Sequence, residues 1–385
     1  MRGHIRKRGQ RSWAIVIDLG RDVEGKRRQK WHTVHGTKRQ AEKELARLLH
    51  ELEHGIYVEP HRMTVGEYLE KWLSDYAAAA VAPKTYERYA EICRNHLVPA
   101  LGAVPLTKLQ PLQIQSYYSK AQREVGPMGR KLSKQTVLHH HRILRSALKQ
   151  AVKWQLVVRN PADAVEPPSP DRREMIALDE QDTATLLKLA DGSRLYAAML
   201  LAVTTGLRRG EILGLHWADL DLEKATLSVR HAVEQTREAG TRLKSPKSKK
   251  SNRTVALLEI CIPTLRRHKA AQGEEKLRAG ADYTDRGLVF AGEDGEIWSP
   301  DTFTKAYRDL VRRTAFEHVR FHDLRHTHAT QLLRQGIHPK VVSERLGHST
   351  IALTLDTYSH VLPGMDENAA AKLDVALRAA MDRTD

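Results

Sequence analysis

Four separated stretches in the second half of the chain carry basic or nucleophilic side chains suited to chemistry on a phosphate. The first, TGLRRGEIL, places Arg208 after a glycine turn where a new helix should begin. A guanidinium at this position could hold an anion beside the free backbone N–H groups of the helix end. The second, LKSPKSKKSNRTVAL, is a basic loop between strand-like residues. It is either a mobile, solvated tip or a finger that delivers a lysine to a phosphate.

The third stretch is HDLRHTHAT, in which His322 and Arg325 have the spacing i, i+3. On a helix this spacing puts an imidazole and a guanidinium on one face, where both could contact one anion. His322 and His326, at i and i+4, could instead ligate zinc. The glutamate of a zinc-protease helix is missing, however, and Arg325 would repel a cation. We therefore expect no metal and no other cofactor.

The fourth stretch is LGHSTIALTLDTYSHV, which contains His348 and Tyr358. Gly347 is expected to end one helix and Ser349 to cap the next. Taken alone, a tyrosine here would be a half-buried packing residue. No single stretch is therefore a strong signal, and their combination is what matters.

These stretches lie in a mainly helical domain, predicted at 175–385, with one strand-rich interruption at 225–257 around the basic loop. The preceding segment, EPPSPDRRE at 166–174, has three prolines and reads as a linker. The C-terminal segment is predicted to form an amphipathic helix. Its apolar positions are Leu373, Val375, Leu377 and Met381.

Residues 63–165 are predicted to be all helical, beginning at a capping box on Thr64 and continuing at 83–98, 110–124 and 133–155. Three consecutive histidines, 139–141, point in different directions around a helix, so we expect them to be solvated and not metal ligands. Four basic side chains of this segment are candidate contacts to a nucleic-acid backbone: Lys84, Arg88, Lys134 and Arg142.

Residues 1–60 are strongly basic and are predicted to form a small sheet of three strands backed by one helix, which a capping box at Thr37 begins. This pattern favours a DNA-binding module over a solvated basic tail. The candidate DNA contacts here are Arg6, Lys7, Arg8, Arg11, Arg27 and Arg28.

Composition agrees with a nucleic-acid partner. The 385 residues include 63 Lys and Arg against 47 Asp and Glu, a net charge of +16. Such an excess favours DNA, RNA or an anionic membrane face. The two cysteines cannot form a disulfide framework, which indicates a reducing compartment. With neither a membrane-spanning run nor a secretory signal, we expect a cytoplasmic, nucleoid-associated protein.

The order of arginine, lysine on a hairpin, His-x-x-Arg, Leu-Gly-His and tyrosine resembles the tyrosine recombinase (phage integrase) family. The matching strings are TGLRRGEIL, PKSKKSNRTVAL, HDLRHTHAT and LGHSTIALTLDTYSHV. The resemblance extends over the whole chain: 1–60 resembles an arm-site-binding module and 63–165 the helical core-site-binding domain. It implies a mainly α fold with small β-sheets and a catalytic domain at 175–385.

The resemblance also implies roles for individual residues. Tyr358 would be the nucleophile, forming a 3′-phosphotyrosyl bond and releasing a 5′-hydroxyl. Arg208 and Arg325 would hold the non-bridging oxygens of the scissile phosphate. His322 would exchange the tyrosine proton, and His348 would donate a further hydrogen bond to the phosphate.

Two further roles concern the loop and a carboxylate. Lys247 would be the general acid for the 5′-oxygen, although Lys244 or Lys249 could take that role. Glu211 would orient the arginine and histidine side chains. Lys249 and Lys250 are also candidate DNA contacts.

The expected partner is double-stranded DNA at core and arm attachment sites, bound by a homotetramer. An excision factor and a DNA-bending host protein are possible partners, and no membrane is expected. The chain shows no carboxylate cluster for Mg²⁺ and no Walker loop, which fits chemistry without metal or ATP. The main hypothesis is the integrase of a phage or conjugative element. The alternatives are a resolvase or invertase with the same chemistry, a type IB topoisomerase, or a catalytically silent DNA-binding regulator.

Overall fold

The computed structural model describes residues 3–21, 24–54, 57–58, 61–125, 129–171, 175–244 and 252–358, with 370, 373–375, 377–378 and 381 of the tail. Side chains are described for these residues except at positions 19 and 28. The chain divides into two compact units, Met1–Arg172 and Arg173–Asp385. The division falls inside the predicted linker.

The first unit begins with an antiparallel sheet in the order β1-β2-β3, followed by one helix. Ile15 and Ile17 lie on one face of β2 and pack against Leu48 of the helix. Ala14 and Val16, on the opposite face of this central strand, are buried as well. The capping box at Thr37 forms as predicted. The elements are β1 (Gly3–Gly9), β2 (Ser12–Arg21), β3 (Arg27–His35) and α1 (Lys38–Glu53).

The other described elements of the first unit are helical, and the capping box at Thr64 also forms. Their shared core contains Tyr68, Trp72 and Leu144. The helices are α2 (Val65–Trp72), α3 (Ala78–Ala80), α4 (Pro83–Ile92), α5 (Val98–Leu101), α6 (Pro111–Arg123) and α7 (Lys134–Lys153). The π-helical turns Leu73–Ala77 and Cys93–Leu97 join α2 to α3 and α4 to α5.

Two of the three consecutive histidines are buried, so the prediction of solvated side chains was wrong for them. Nδ1 of His140 lies 2.7 Å from the Tyr117 hydroxyl, and Nδ1 of His141 lies 3.0 Å from that of Tyr118. Burial lowers the pKa of His140 to about 3. Neighbouring tyrosines on α6 supply the polar partners that a sequence pattern on α7 alone does not show.

The second unit is built around α9, every residue of which after Tyr196 is buried. It contains a sheet in the order β4-β5-β8 and a separate hairpin of β6 and β7. The elements are α8 (Glu180–Leu189), α9 (Tyr196–Thr205), α10 (Arg209–Leu213), β4 (Leu220–Asp221), β5 (Thr226–Val229), β6 (Ala232–Thr236), β7 (Gly240–Lys244), β8 (Arg253–Ala256), α11 (Cys261–Ala279), α12 (Pro300–Val311), α13 (Asp323–Arg334), α14 (Pro339–Leu346) and α15 (Ile351–Tyr358).

The architecture confirms the predicted fold class, which is mainly helical with small antiparallel sheets. Among the helices of the described residues, none combines the length and apolar character that a bilayer span requires.

Candidate active site

Arg325 is a buried cation at the centre of the second unit. Its Nη1 donates to the carbonyl of Gly206 at 2.6 Å, and its Nη2 donates to the carbonyl of Leu346 at 2.8 Å. Burial and the charge of Arg208 lower its pKa to about 9. The site is therefore short of negative charge, which favours the binding of an anion.

Gly206 makes this contact possible. It ends α9 in the left-handed conformation, with φ 67°, which glycine adopts without a steric cost. A Cβ at this position would lie 2.7 Å from the His328 ring and 2.5 Å from the Leu346 side chain. The turn therefore depends on glycine for both its backbone angle and its close packing.

Arg208 occupies the N-cap position of α10, as the TGLRRGEIL pattern predicts. Its Nη1 donates to Glu211 at 2.7 Å, and its Nη2 donates to the carbonyl of Gly347 at 3.3 Å. Because Arg325 is bonded to the preceding carbonyl, that of Leu346, the two guanidinium groups lie near each other. This pair could hold one tetrahedral anion from two sides.

Glu211 connects Arg208 to Arg253, which belongs to the basic stretch LKSPKSKKSNRTVAL. Arg253 Nη2 lies 2.8 Å from Glu211 Oε2, and its Nε donates to the carbonyl of Arg345 at 2.8 Å. Burial alone would raise the pKa of Glu211, but Arg253 and Arg208 outweigh it and hold the pKa at about 2. Glu211 was expected to orient both arginine and histidine side chains. Among the described residues it is bonded to arginines and to no histidine.

A sequence signal for Arg253 did exist. It lies two residues before the buried Val255 on β8, so strand alternation puts both on one face. An arginine on the inward face of a strand must have a partner there.

His348 follows α14, which ends at Gly347 in the left-handed conformation, as predicted. The next helix begins at Ile351, so Ser349 is one residue too early to be its N-cap. His348 Nδ1 lies 2.8 Å from the Thr354 hydroxyl. Burial, with the nearby charges of Arg325 and Arg208, lowers its pKa to about 4, so the ring is neutral near pH 7.

Tyr358 is 2% exposed and ends α15. Its hydroxyl lies 2.8 Å from Nδ1 of His326. Burial raises its pKa to about 12, and the charge of Arg325 offsets this only in part. The side chain packs against Ala329, Leu333, Val342 and Leu346.

His322 does not make the contact to the tyrosine that the family resemblance suggests. It is exposed at the N-cap of α13, and its ring lies edge-on to that of His326, with 5.1 Å between centroids. His326 lies one helical turn further along α13, which is about 6 Å along the axis. This turn brings His326, and not His322, to the tyrosine hydroxyl.

The basic loop is only partly described. Lys247, Lys249 and Lys250 lie outside the described residues, between β7 and β8. Lys244, at the end of β7, forms an ion pair with Glu234 on β6, as does Arg242. The hairpin of β6 and β7 therefore neutralises Lys244, one of the basic side chains of the stretch LKSPKSKKSNRTVAL.

Several candidate DNA contacts of the first unit are exposed but paired. The guanidinium groups of Arg6 and Arg8 lie over the Trp31 ring, 5.8 and 5.6 Å from its centroid. The ion pairs are Arg27–Asp18, Lys84–Glu87, Arg88–Glu91 and Lys134–Asp171. Lys7, Arg11 and Arg142 are exposed, and the Arg28 side chain lies outside the described residues. Exposed pairs of this kind are weak, so a DNA phosphate could replace the carboxylate.

Across the residues with described positions, no three His, Cys, Asp or Glu side chains form a group that could hold a metal ion. The sequence-predicted residues that the structure brings together are Arg208, Glu211, Arg325, His348 and Tyr358. It adds Arg253 and His326 to them.

The chain matches three family models. The model described as "Phage integrase family" covers residues 177–364. "Phage integrase, N-terminal SAM-like domain" covers 64–122, and "Arm DNA-binding domain" covers 4–52.

Curated relatives match along most of the chain. The "Tyrosine recombinase XerC-like" protein of Caldanaerobacter subterraneus is 32% identical, and the alignment covers 96% of this chain and 97% of the relative. The ICEBs1 integrase of Bacillus subtilis is 26% identical, with 76% and 78% covered.

Solved structures show the same fold. The integrase of transposon Tn1549, in complex with transposon right end DNA, matches with a TM-score of 0.69 and 23% identity. That match covers 82% of this chain and all of the other. A lambda integrase dimer bound to a core site matches with a TM-score of 0.55 and 17% identity, covering 93% and 94%.

Proposed function

The chain belongs to the phage integrase family of tyrosine recombinases, and we propose that Tyr358 is the nucleophile of its site-specific DNA recombination. The observation that supports this most strongly is the pair of arginines, Arg208 and Arg325, bonded to consecutive carbonyls in the unit that contains Tyr358. Attack by the Tyr358 oxygen on a DNA phosphate forms a 3′-phosphotyrosyl bond and releases a 5′-hydroxyl. The reverse reaction joins that phosphate to another strand.

The cationic site stabilises the charge that develops on the phosphate. A guanidinium has five N–H donors, and Arg325 uses two of them on carbonyls, which leaves three for the phosphate. Removing one such donor costs about 3 kcal/mol of transition-state stabilisation. His348 donates to the phosphate, and Glu211 holds Arg208 in place. Lys247 protonates the leaving 5′-oxygen, a role for which Lys249 is the alternative because Lys244 is paired with Glu234.

We assign the chain to a mobile element, as its integrase. Relatives named as the ICEBs1 integrase and as the Tn916 transposase support this assignment. The basic sheet of β1–β3 matches the arm DNA-binding model, and a second DNA-binding region serves an element with separate arm sites. Recombination of two duplexes needs four cleavages, which implies a homotetramer on DNA. An excision factor and a DNA-bending host protein are candidate accessory partners.

A covalent-adduct assay tests the function. Wild type, Tyr358→Phe and the control Tyr76→Phe, at a half-exposed tyrosine of the first unit, are incubated with labelled DNA taken from beside the gene. We expect an SDS-resistant adduct with the wild type and the control, and none with Tyr358→Phe. Specific binding by all three proteins without any adduct would favour a silent DNA-binding regulator.

A further inference from the structure

His326 is hydrogen-bonded to the hydroxyl of Tyr358, the proposed nucleophile. His326 Nδ1 lies 2.8 Å from the tyrosine oxygen, the atom that must lose a proton when it attacks phosphorus. Within the described residues no other side chain is bonded to that oxygen. The contact is also enclosed, because Tyr358 is 2% exposed and His326 is half-buried.

Near pH 7 the Tyr358 hydroxyl carries a proton and the neutral His326 ring can accept one. Burial lowers the pKa of His326 and raises that of Tyr358 to about 12, so both groups are neutral near pH 7. A neutral imidazole with its hydrogen on Nε2 presents a lone pair at Nδ1, and the phenol can donate to it. In the described part of the chain no protein group is hydrogen-bonded to His326 Nε2. The tautomer with its hydrogen on Nε2 therefore conflicts with no existing hydrogen bond.

We propose that His326 is the proton acceptor for Tyr358, an inference that rests on the proposed function. As the bond from the tyrosine oxygen to phosphorus forms, the O–H bond breaks and its proton moves to His326 Nδ1. The bond from phosphorus to the 5′-oxygen breaks, and that oxygen takes a proton from the loop lysine. In the rejoining step His326 returns its proton to the tyrosine oxygen.

His326, and not His322, is in contact with the Tyr358 hydroxyl. His322 is exposed, and it has no hydrogen bond to Tyr358. The charged and titratable groups that face His326 are Arg320, His322, Asp323, Arg325, His348 and Tyr358. Burial disfavours a charged imidazole, Asp323 favours it, and Arg325 and Arg320 disfavour it. A phosphate bound at Arg208 and Arg325 would offset the charge of the arginines. The proton is then accepted when DNA is in place.

Single-turnover formation of the covalent adduct tests the proposal. The proteins are wild type, His326→Gln, His322→Gln and the control His318→Gln, at an exposed histidine of the same unit. We expect His326→Gln to bind the DNA normally and to form the adduct roughly 100-fold more slowly, as for the loss of a general base. His318→Gln should match the wild type. Unchanged kinetics in His326→Gln, with an adduct still formed at Tyr358, would overturn the proposal and leave the proposed function intact.

A second measurement separates proton transfer from simple positioning. Tyr358 is replaced by a fluorotyrosine, whose phenol is more acidic, in wild type and in His326→Gln. If His326 accepts the proton, the acidic phenol should recover most of the lost rate in His326→Gln, and the rate should rise with pH. If His326 only holds the ring in place, neither change restores the rate, and the proposal fails. An adduct with Tyr358→Phe would instead overturn the proposed function.

Discussion

Arg253 and Glu211 face each other inside the second unit, with 2.8 Å between Nη2 and Oε2. Both side chains are under 10% exposed. Glu211 in turn holds Arg208, so a residue at the start of β8 positions an arginine of the candidate site through one carboxylate.

Arg253→Ala should lower the free energy of unfolding by about 3 kcal/mol, because it leaves a buried carboxylate with one partner fewer. It should also slow adduct formation, since Arg208 loses its fixed neighbour. Urea unfolding and single-turnover cleavage measure the two effects. The control is Arg286→Ala, which breaks the exposed pair with Glu296 and should leave the unfolding midpoint unchanged. Equal stability of the two variants would contradict the role given to Arg253.

Stability should fall as the pH is lowered from 6.5 toward 3, partly because of His140. Its folded pKa of about 3 lies below its ordinary value of 6.5. Between these values the unfolded chain binds a proton that the folded chain does not, so unfolding becomes easier as the pH falls. One such group contributes a slope of up to about 1.4 kcal/mol per pH unit. The test is unfolding at several pH values in wild type and His140→Phe, where the slope should be smaller.

The matched control for that experiment is His35→Phe, the same replacement at an exposed histidine of the first unit. Its slope should equal that of the wild type. If His140→Phe has the wild-type slope as well, His140 is not the neutral buried group that the structure indicates.

DNA affinity should fall steeply with salt, because basic residues displace counterions from phosphates. Replacing both Arg6 and Arg8 by Ala should reduce the slope of log K against log salt by about 2 if each contacts one phosphate. Fluorescence anisotropy with a short duplex, at several salt concentrations, measures this slope. The control is Arg47→Ala, whose guanidinium is paired with Glu44 and Glu51 on α1. An unchanged slope in the double variant would show that these arginines do not contact DNA phosphates.

A chain that ends at Pro363 should bind a single DNA site normally but fail to bring two sites together. The described residues of the tail expose Leu373, Val375, Leu377 and Met381, each more than half exposed. Such apolar side chains fit a contact with another protomer. The mass of the protein–DNA complexes shows whether two sites are held together. The control is a full-length chain in which the four residues are replaced by Ser. Wild-type recombination by the truncated chain would refute the prediction.

Sequence patterns predicted the parts of this molecule that local rules determine. The capping boxes at Thr37 and Thr64 and the glycine at Gly347 were located correctly, because each depends on residues within one turn. The resemblance to the family then supplied Arg208, Arg325, His348 and Tyr358 as one set.

The sequence did not predict contacts between distant segments. Arg253 lies 42 positions from Glu211 and His326 lies 32 positions from Tyr358. His140 is buried by tyrosines of another helix. The sequence predicted a strand-rich region at 225–257 but not its division into a sheet of β4, β5 and β8 and a separate hairpin of β6 and β7. Each error came from tertiary packing, which local spacing does not encode.

The anchoring of Arg325 has a consequence for engineering. Within the described part of the chain, its guanidinium is held by the backbone oxygens of Gly206 and Leu346 and by no side chain. Every amino acid supplies the same backbone oxygen, so replacing nearby side chains leaves this anchor in place as long as the turn at Gly206 keeps its shape. A library built to retarget the enzyme can therefore keep α13 and the glycine turn constant and vary the first unit.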